Sequence, residues 1–303
     1  MTKTPVTGSI SPSLPVHFFC VMNMQFGTVC IVGPGLIGGS IGLGLKARNL
    51  VKTVVGVGHR ASSLECARKM HAIDSGALQV EDAVGNADII ILATSVNQIV
   101  DLAKRIIPLM KSNAILTDVG STKAYIVEQI TSHLRKDVAF VGAHPIAGSE
   151  QRGVEFASKD LFVGATCIIT PLDGQTKESE TIAQLWRLLG ARVMYLSPQQ
   201  HDEILSFVSH TPHLIASGLI NAIKKEYLDC GASGLRDTTR VASGDPELWV
   251  NIFEQNRENM IKSIDRFMVE LNGFREDLLN KDNAALLERL KRAKSARDSV
   301  FHK

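Results

Sequence analysis

Three groups of residues in this sequence have types and spacing suited to chemistry. The first is Gly33-Pro34-Gly35-Leu36-Ile37-Gly38, which follows the apolar run TVCIV (28–32) and opens a helix-like segment. A GxGxxG turn in that setting suits a dinucleotide. Gly33 permits the tight turn, Gly35 lets the backbone approach a pyrophosphate, Gly38 lets the helix pack closely, and the free N–H groups around Leu36 and Ile37 receive phosphates. The second is VGAHPIAGSE (141–150), where an apolar run stops at His144. An imidazole, with an ordinary pKa of about 6.5, exchanges protons near neutrality, and Pro145 biases His144 towards extended backbone. Alone, such a histidine reads as a capped loop residue. The third group is hydroxyl-rich: Ala93-Thr94-Ser95-Val96 and Asp118-Val119-Gly120-Ser121-Thr122-Lys123, each directly after an apolar run.

The elements that must position these residues are legible as an alternation. TVCIV (28–32), TVVGV (53–57), DIIIL (88–92), AILTD (114–118), VAFVG (138–142) and ATCII (165–169) are near-continuous apolar runs separated by segments of helical period. Strands covered by helices on both faces read this way, so the expectation is a doubly wound α/β parallel sheet. Ligands of such sheets lie outside the carboxyl ends of the strands. That rule puts Ser121 and His144 on the same edge as the Gly33 loop, facing a nicotinamide, and makes a functional role a better reading than a helix cap or a loop. Thr94, Ser95 and Val96 fall on the same edge. The second strand ends in Gly58-His59-Arg60-Ala61-Ser62, with no carboxylate for a ribose 2′-hydroxyl. His59, Arg60 and Ser62 suit a 2′-phosphate, which favours NADP over NAD within an NAD(P)-binding site.

After Pro171 the character changes: beyond a short strand-like ARVMYL (191–196) the segments are long helical patterns, from SPQQHDEILSFVS (197–209) to DNAALLERLKRAKSARD (282–298). The expected division is a flexible extension over 1–26 (with Met22 or Met24 a candidate start), a dinucleotide-binding unit over 27–172, and an all-helical unit over 173–303 that packs against a second copy as a homodimer. Among the 303 residues, 33 Lys and Arg against 31 Asp and Glu give a net charge of +2 and no reason to expect a nucleic-acid partner. No run reaches the roughly 18 apolar residues that span a bilayer. Five scattered cysteines without a CxxC pair suggest neither a disulfide framework nor a zinc site, and point to a reducing cytoplasm. His210 and His213, in SHTPH, lack a third ligand at suitable spacing, so no metal is expected; they flank a kink at Pro212.

In order, GPGLIGGS, ILATSV, TDVGSTK, GAHPIAGSE, SHTPH and RDTTRVASGDPELW resemble the prephenate and arogenate dehydrogenases of tyrosine biosynthesis, over residues 27 to 280. The resemblance implies a Rossmann domain followed by a helical dimerisation domain. It also implies oxidative decarboxylation of prephenate or arogenate, with a hydride passing to NAD(P)+. By the same resemblance His144 is the base at the ring hydroxyl and Ser121 orients hydroxyl and nicotinamide. Arg240 grips a substrate carboxylate, His213 with its neighbour His210 lines the substrate pocket, Trp249 forms a pocket wall, and Glu150 closes the catalytic loop. Bland readings compete: Arg236 is the rival cation with a helix-end salt bridge as its default, and Trp249 on a helical stripe is core first. Alternatives for the whole chain are a β-hydroxyacid dehydrogenase or imine reductase of similar architecture, which would draw its acid from the helical unit, and a non-catalytic redox sensor, which would need none of Ser121, His144 and Arg240.

Overall fold

The computed structural model describes residues 25–149, 151–172 and 174–301. The expected extension over 1–26 therefore lies almost entirely outside the described residues, and its last residue, Phe26, is a buried member of the first strand.

Among the described residues, eight strands form one sheet: β1 (Phe26–Val32), β2 (Val51–Val57), β3 (Ser75–Ala77), β4 (Ile89–Leu92), β5 (Ile115–Asp118), β6 (Ala139–Ile146), β7 (Thr166–Thr170) and β8 (Arg192–Tyr195). Their spatial order is β3-β2-β1-β4-β5-β6-β7-β8. The first six are parallel and in the order of a Rossmann sheet, so the expected doubly wound α/β architecture is present. The helices of this unit are α1 (Leu36–Ala47), α2 (Ala61–Lys69), α3 (Val96–Ile106), α4 (Ala124–Thr131) and α5 (Lys177–Leu188). Alternation along β1 explains why its apolar run is unbroken. Val29 and Ile31 join one core with Ile41 and Leu45 of α1 and Trp186 of α5, while Cys30 and Val32 join the opposite core with Ile99 and Ala103 of α3.

Three expectations are corrected. The sheet is not wholly parallel: β7, the ATCII run, pairs antiparallel with β6, and β8 returns parallel to β7. The α5 crossover from β7 to β8 accounts for the parallel pair, whereas the long connection from β6 to β7 would allow either direction. With β8 the sheet also passes residue 172, where the change in character suggested its end. Nor does the strand stop before His144. β6 continues through His144 and Pro145 to Ile146, paired with β7. Pro145 has no N–H to give, but pairing with β5 has already ended at Val141, so no ladder bond is lost on that side.

The remaining chain is helical: α6 (Pro198–Leu205), α7 (Thr211–Ala222), α8 (Ser233–Thr239), α9 (Pro246–Gln255), α10 (Arg257–Leu279) and α11 (Asn283–Phe301). Ser197 starts α6 with a reciprocal capping box to Gln200 and Pro198 in the first turn. A π turn, Ser206–His210, joins α6 to α7 just ahead of Pro212, whose missing N–H breaks the normal ladder. The pattern over 246–280 reads as one helix but breaks at Asn256, the junction of α9 and α10, whose side chain is committed to tertiary bonds described below.

Candidate active site

At the carboxyl ends of β1, β2 and β4 a cleft of about 600 Å³ opens, with Gly33, Gly58, His59, Gln79, Thr94 and Leu102 in its walls. Gly33 has φ +91°, and a side chain there would run into the Ala93 carbonyl. At Gly38 a Cβ would meet the Gly33 carbonyl, which is why the helix can start so close to the turn. Gly35 is different: a Cβ there meets no protein atom within 4 Å. No side chain caps α1, so its first-turn amides at Leu36, Ile37 and Gly38 are open to an outside acceptor. The Thr94 hydroxyl is buried without a hydrogen-bond partner. Open space over Gly35, an uncapped helix start and an orphaned hydroxyl together fit a dinucleotide. Gly35→Ala is accordingly expected to leave the melting temperature unchanged and to weaken nucleotide binding by at least about tenfold; titration calorimetry giving unchanged affinity would remove Gly35 from the site.

Other residues assigned to this cleft fall in varied places. His59 lines it, whereas Arg60 and Ser62 are exposed at the start of α2, outside the lining. Ser95 donates to Asn97 Oδ1 at 2.7 Å, and the Val96 side chain is buried in the core. Leu78 and Gln79 escape sequence reasoning because β3 is only three residues long and carries no apolar run.

His144 is 9% exposed. Its Nδ1 lies 2.8 Å from His201 Nε2, and His201 Nδ1 lies 2.7 Å from Asp202 Oδ1. The Asp202 carboxylate accepts from the backbone amides of Lys123 at 2.8 Å and Ala124 at 2.9 Å, so it caps α4 from across the molecule. Asn256 Nδ2 donates to the Asp202 carbonyl at 2.8 Å. Burial, reinforced by the neighbouring His201, Lys123 and His210, pushes the His144 pKa well below the ordinary imidazole value. Burial also lowers His201, against the pull of Asp202.

Beneath the Ser121 turn, Asp118 and Lys123 form an ion pair whose side chains are both 0% exposed. Asp118 Oδ2 also accepts from Gly120 N at 2.8 Å, and Oδ1 from Ala143 N at 3.3 Å. One carboxylate thus ties the turn bearing Ser121 to the strand residue next to His144. Ser121 itself is half-buried, and its backbone faces His210. Thr122 Oγ1 donates to Gln255 Oε1 at 2.6 Å.

The helical unit supplies the facing wall. His210 Nδ1 accepts from Asn256 Nδ2 at 3.2 Å, leaving Nε2 buried without a partner, and burial lowers the pKa of this ring to about 4. His213 stacks on Trp249 with centroids 3.6 Å apart and planes 17° from parallel; its Nδ1 is also unpartnered. Trp249 is both wall and packing, since it leans on the core that holds Ile252. Arg240 begins the exposed turn Arg240–Ser243, which leads to Gly244, where a Cβ would touch Trp249 and His213. Arg236 pairs with its neighbour Asp237 at 3.5 Å on the surface. Glu150 lies outside the described residues. Close by, Arg152 pairs with Asp245, the N-cap of α9.

The structure therefore brings His144, the Ser121 turn, His210, His213 and Trp249 into one region, and the turn that Arg240 begins leads to Gly244 against Trp249 and His213. Sequence reasoning missed His201, Asp202, Asn256 and the Asp118–Lys123 pair. The only available signal was the HD dipeptide just inside a well-capped helix, and nothing in spacing ties residue 201 to residue 144. Among the described residues no group of three or more His, Cys, Asp or Glu is placed to hold a metal ion.

Comparison with known proteins extends over both units. Residues 41–195 match the family described as prephenate dehydrogenase, nucleotide-binding domain, and residues 197–292 match prephenate dehydrogenase, dimerization domain. The prephenate dehydrogenase of Bacillus subtilis is 32% identical over 292 residues, covering 92% of this chain and 77% of that protein. The cyclohexadienyl dehydrogenase of Zymomonas mobilis is 30% identical, covering 90% and 95%. Among solved structures, prephenate dehydrogenase from A. aeolicus, in complex with hydroxyphenyl propionate and NAD+, has a TM-score of 0.84 at 32% identity, covering 92% of this chain and 99% of that one. Arogenate dehydrogenase from Synechocystis gives 0.78 at 28% identity, covering 90% and 99%. With both of its units matched and these relatives aligned over nearly its whole length, the chain belongs to the prephenate dehydrogenase family.

Proposed function

We propose that this protein catalyses the oxidative decarboxylation of prephenate, arogenate or both in tyrosine biosynthesis, using a nicotinamide nucleotide. The observation that carries the reading is a buried imidazole, His144, on the strand beside the Ser121 turn at the nucleotide edge of a chain in this family. The nucleotide, when bound along Gly33, Gly35 and Thr94, supplies the acceptor for the hydride that leaves the carbon bearing the ring hydroxyl. His144 takes the hydroxyl proton, and its lowered pKa keeps it neutral and ready to do so at pH 7. Departure of the ring carboxylate as CO₂ leaves an aromatic ring. Ser121 orients the hydroxyl, while His210 and His213 present ring nitrogens that have no protein partner. Exclusion of water by the Trp249 wall strengthens each of these contacts.

The end of β2 carries no carboxylate for a ribose 2′-hydroxyl, and Arg60 starts the next helix. That charge pattern favours a 2′-phosphate, hence NADP over NAD. Assays of prephenate and arogenate, each with both nucleotides, test the whole reading; no reduced nicotinamide and no CO₂ from any of the four combinations would overturn it. Arg240 is assigned to a substrate carboxylate, for which a guanidinium fork is suited. Arg240→Gln is expected to raise KM for the ring substrate by roughly 10- to 100-fold, with a smaller change in kcat, because one charge-assisted contact is worth about 1.5–3 kcal/mol. Steady-state kinetics distinguish this from a loss confined to kcat.

The helical unit is proposed to pair with a second copy. On α10, Ile261, Met268, Leu271 and Leu278 are 52–63% exposed and recur at helical spacing along one stripe. We place the dimer in the cytoplasm, consistent with the unpaired thiols of Cys30 and Cys167, the former pushed up to about 12 by burial. The division into units falls near residue 196, after the last sheet strand.

A further inference from the structure

Behind the proposed base, His144, a hydrogen-bonded chain runs through two side chains that nothing in the reaction scheme above employs, His201 and Asp202. All three are buried, at 9%, 0% and 2% exposure. The donors along this chain can be assigned from its far end. The Asp202 carboxylate already accepts two backbone amides, from Lys123 and Ala124, and has no proton to offer. The 2.7 Å contact from His201 Nδ1 must therefore be an N–H donated to Asp202 Oδ1. A neutral imidazole carries one N–H, so His201 Nε2 is a lone pair. The 2.8 Å contact between His201 Nε2 and His144 Nδ1 then requires the hydrogen to sit on His144 Nδ1. Nε2 of His144 is left bare.

We propose that Asp202 and His201 are positioning residues that fix His144 in the Nδ1–H tautomer, present its Nε2 lone pair to the substrate hydroxyl, and receive a proton in turn. This rests on His144 being the base. The balance is simple. Nε2 of His144 takes the hydroxyl proton while its Nδ1–H passes to His201 Nε2, so His144 ends neutral and the positive charge lies on His201, against the Asp202 carboxylate. No redox partner is needed for this transfer, and reversal of the two shifts restores the resting chain. The arrangement also answers a difficulty posed by burial: a lone imidazolium at position 144 would sit beside Lys123 without a counter-ion, whereas at position 201 it faces a carboxylate. Second-neighbour carboxylates of this kind set the tautomer of other histidine bases and metal ligands.

Asp202→Asn tests it. Asp202 Oδ1 takes both the Lys123 amide and the His201 N–H, so a carboxamide keeps its oxygen there, turns its NH2 towards Ala124 N, and loses the negative charge opposite His201. The resting tautomers are then kept, but His201 can no longer hold the transferred proton against a carboxylate. The expected result is a fall in kcat of about 10²- to 10³-fold with KM and nucleotide affinity changed less than about threefold. Nitrogen-15 NMR of histidine-labelled enzyme should show His144 as Nδ1–H in the wild type and still as Nδ1–H in the variant, with His144→Asn used to assign its signals. Wild-type His144 found as the Nε2–H tautomer would overturn the proposal without reference to any variant, as would an Asp202→Asn enzyme retaining kcat within about threefold. Wild-type turnover of prephenate or arogenate separates these outcomes from failure of the functional reading, because the tautomer is measured without substrate.

Discussion

Replacing His144 by asparagine is expected to lower kcat by about 10³- to 10⁴-fold while leaving nucleotide affinity within about twofold of the parent enzyme. The reasoning is positional. His144 lies on β6, whereas the dinucleotide cleft is built by the ends of β1, β2 and β4. Asparagine is smaller, keeps a hydrogen-bonding group towards His201, and cannot take a proton near neutrality. Nucleotide titration beside steady-state kinetics separates the two effects, and equal losses in both would make His144 structural. A pH dependence accompanies this prediction. The neutral ring is the active form, and burial with the neighbouring His201, Lys123 and His210 pushes its pKa below 6.5. Activity should thus be level through neutrality and decline only in acid, as the ring becomes protonated. An acid limb in kcat at or above 6.5 would contradict the assignment of that limb to His144.

The second large effect concerns stability. Lys123→Met is expected to destabilise the fold by about 3–5 kcal/mol, because it leaves the Asp118 carboxylate uncompensated at 0% exposure. On a chain of this size that corresponds to a drop on the order of 10 °C in melting temperature. Adding Asp118→Asn to the same chain removes the stranded charge, and much of the loss should be recovered. Thermal denaturation of the single and double variants reads this directly. A double variant no better than Lys123→Met would mean that the damage is packing rather than charge. Recovery of stability need not bring recovery of turnover, since Asp118 also holds the Gly120 and Ala143 amides on either side of the proposed site.

The sheet was readable because each central strand is buried on both faces, and such strands cannot hide polar residues in their runs. TVCIV, DIIIL and AILTD therefore appear in the sequence nearly as they appear in the structure. β3 was not readable: an edge strand of three residues, Ser75–Ala77, pairs on one side only and needs no apolar run. The direction of β7 was equally invisible, since an apolar run has the same composition whichever way it points. The Gly33 loop was legible from local backbone demands, and His144 from its place after an apolar run. His201 and Asp202 were not, because their meaning comes from a contact spanning 57 residues of sequence. Asn256 was missed for a related reason. In sequence it reads as one polar position on a long helix, while in space it ends α9 and holds both Asp202 and His210.

The polar bonds that cross between the sheet and the helical unit concentrate at the site itself. Asp202 takes the amides of Lys123 and Ala124, Thr122 meets Gln255, and His201 meets His144. A hinge that swung the two units apart along this seam would break the proton chain and uncap α4 in the same movement. The seam therefore resists opening of the cleft. Outside this cluster, the exposed Arg152 in the segment after β6 pairs with Asp245, the N-cap of α9. The residues proposed to handle the substrate's proton are kept in register with one another by the seam.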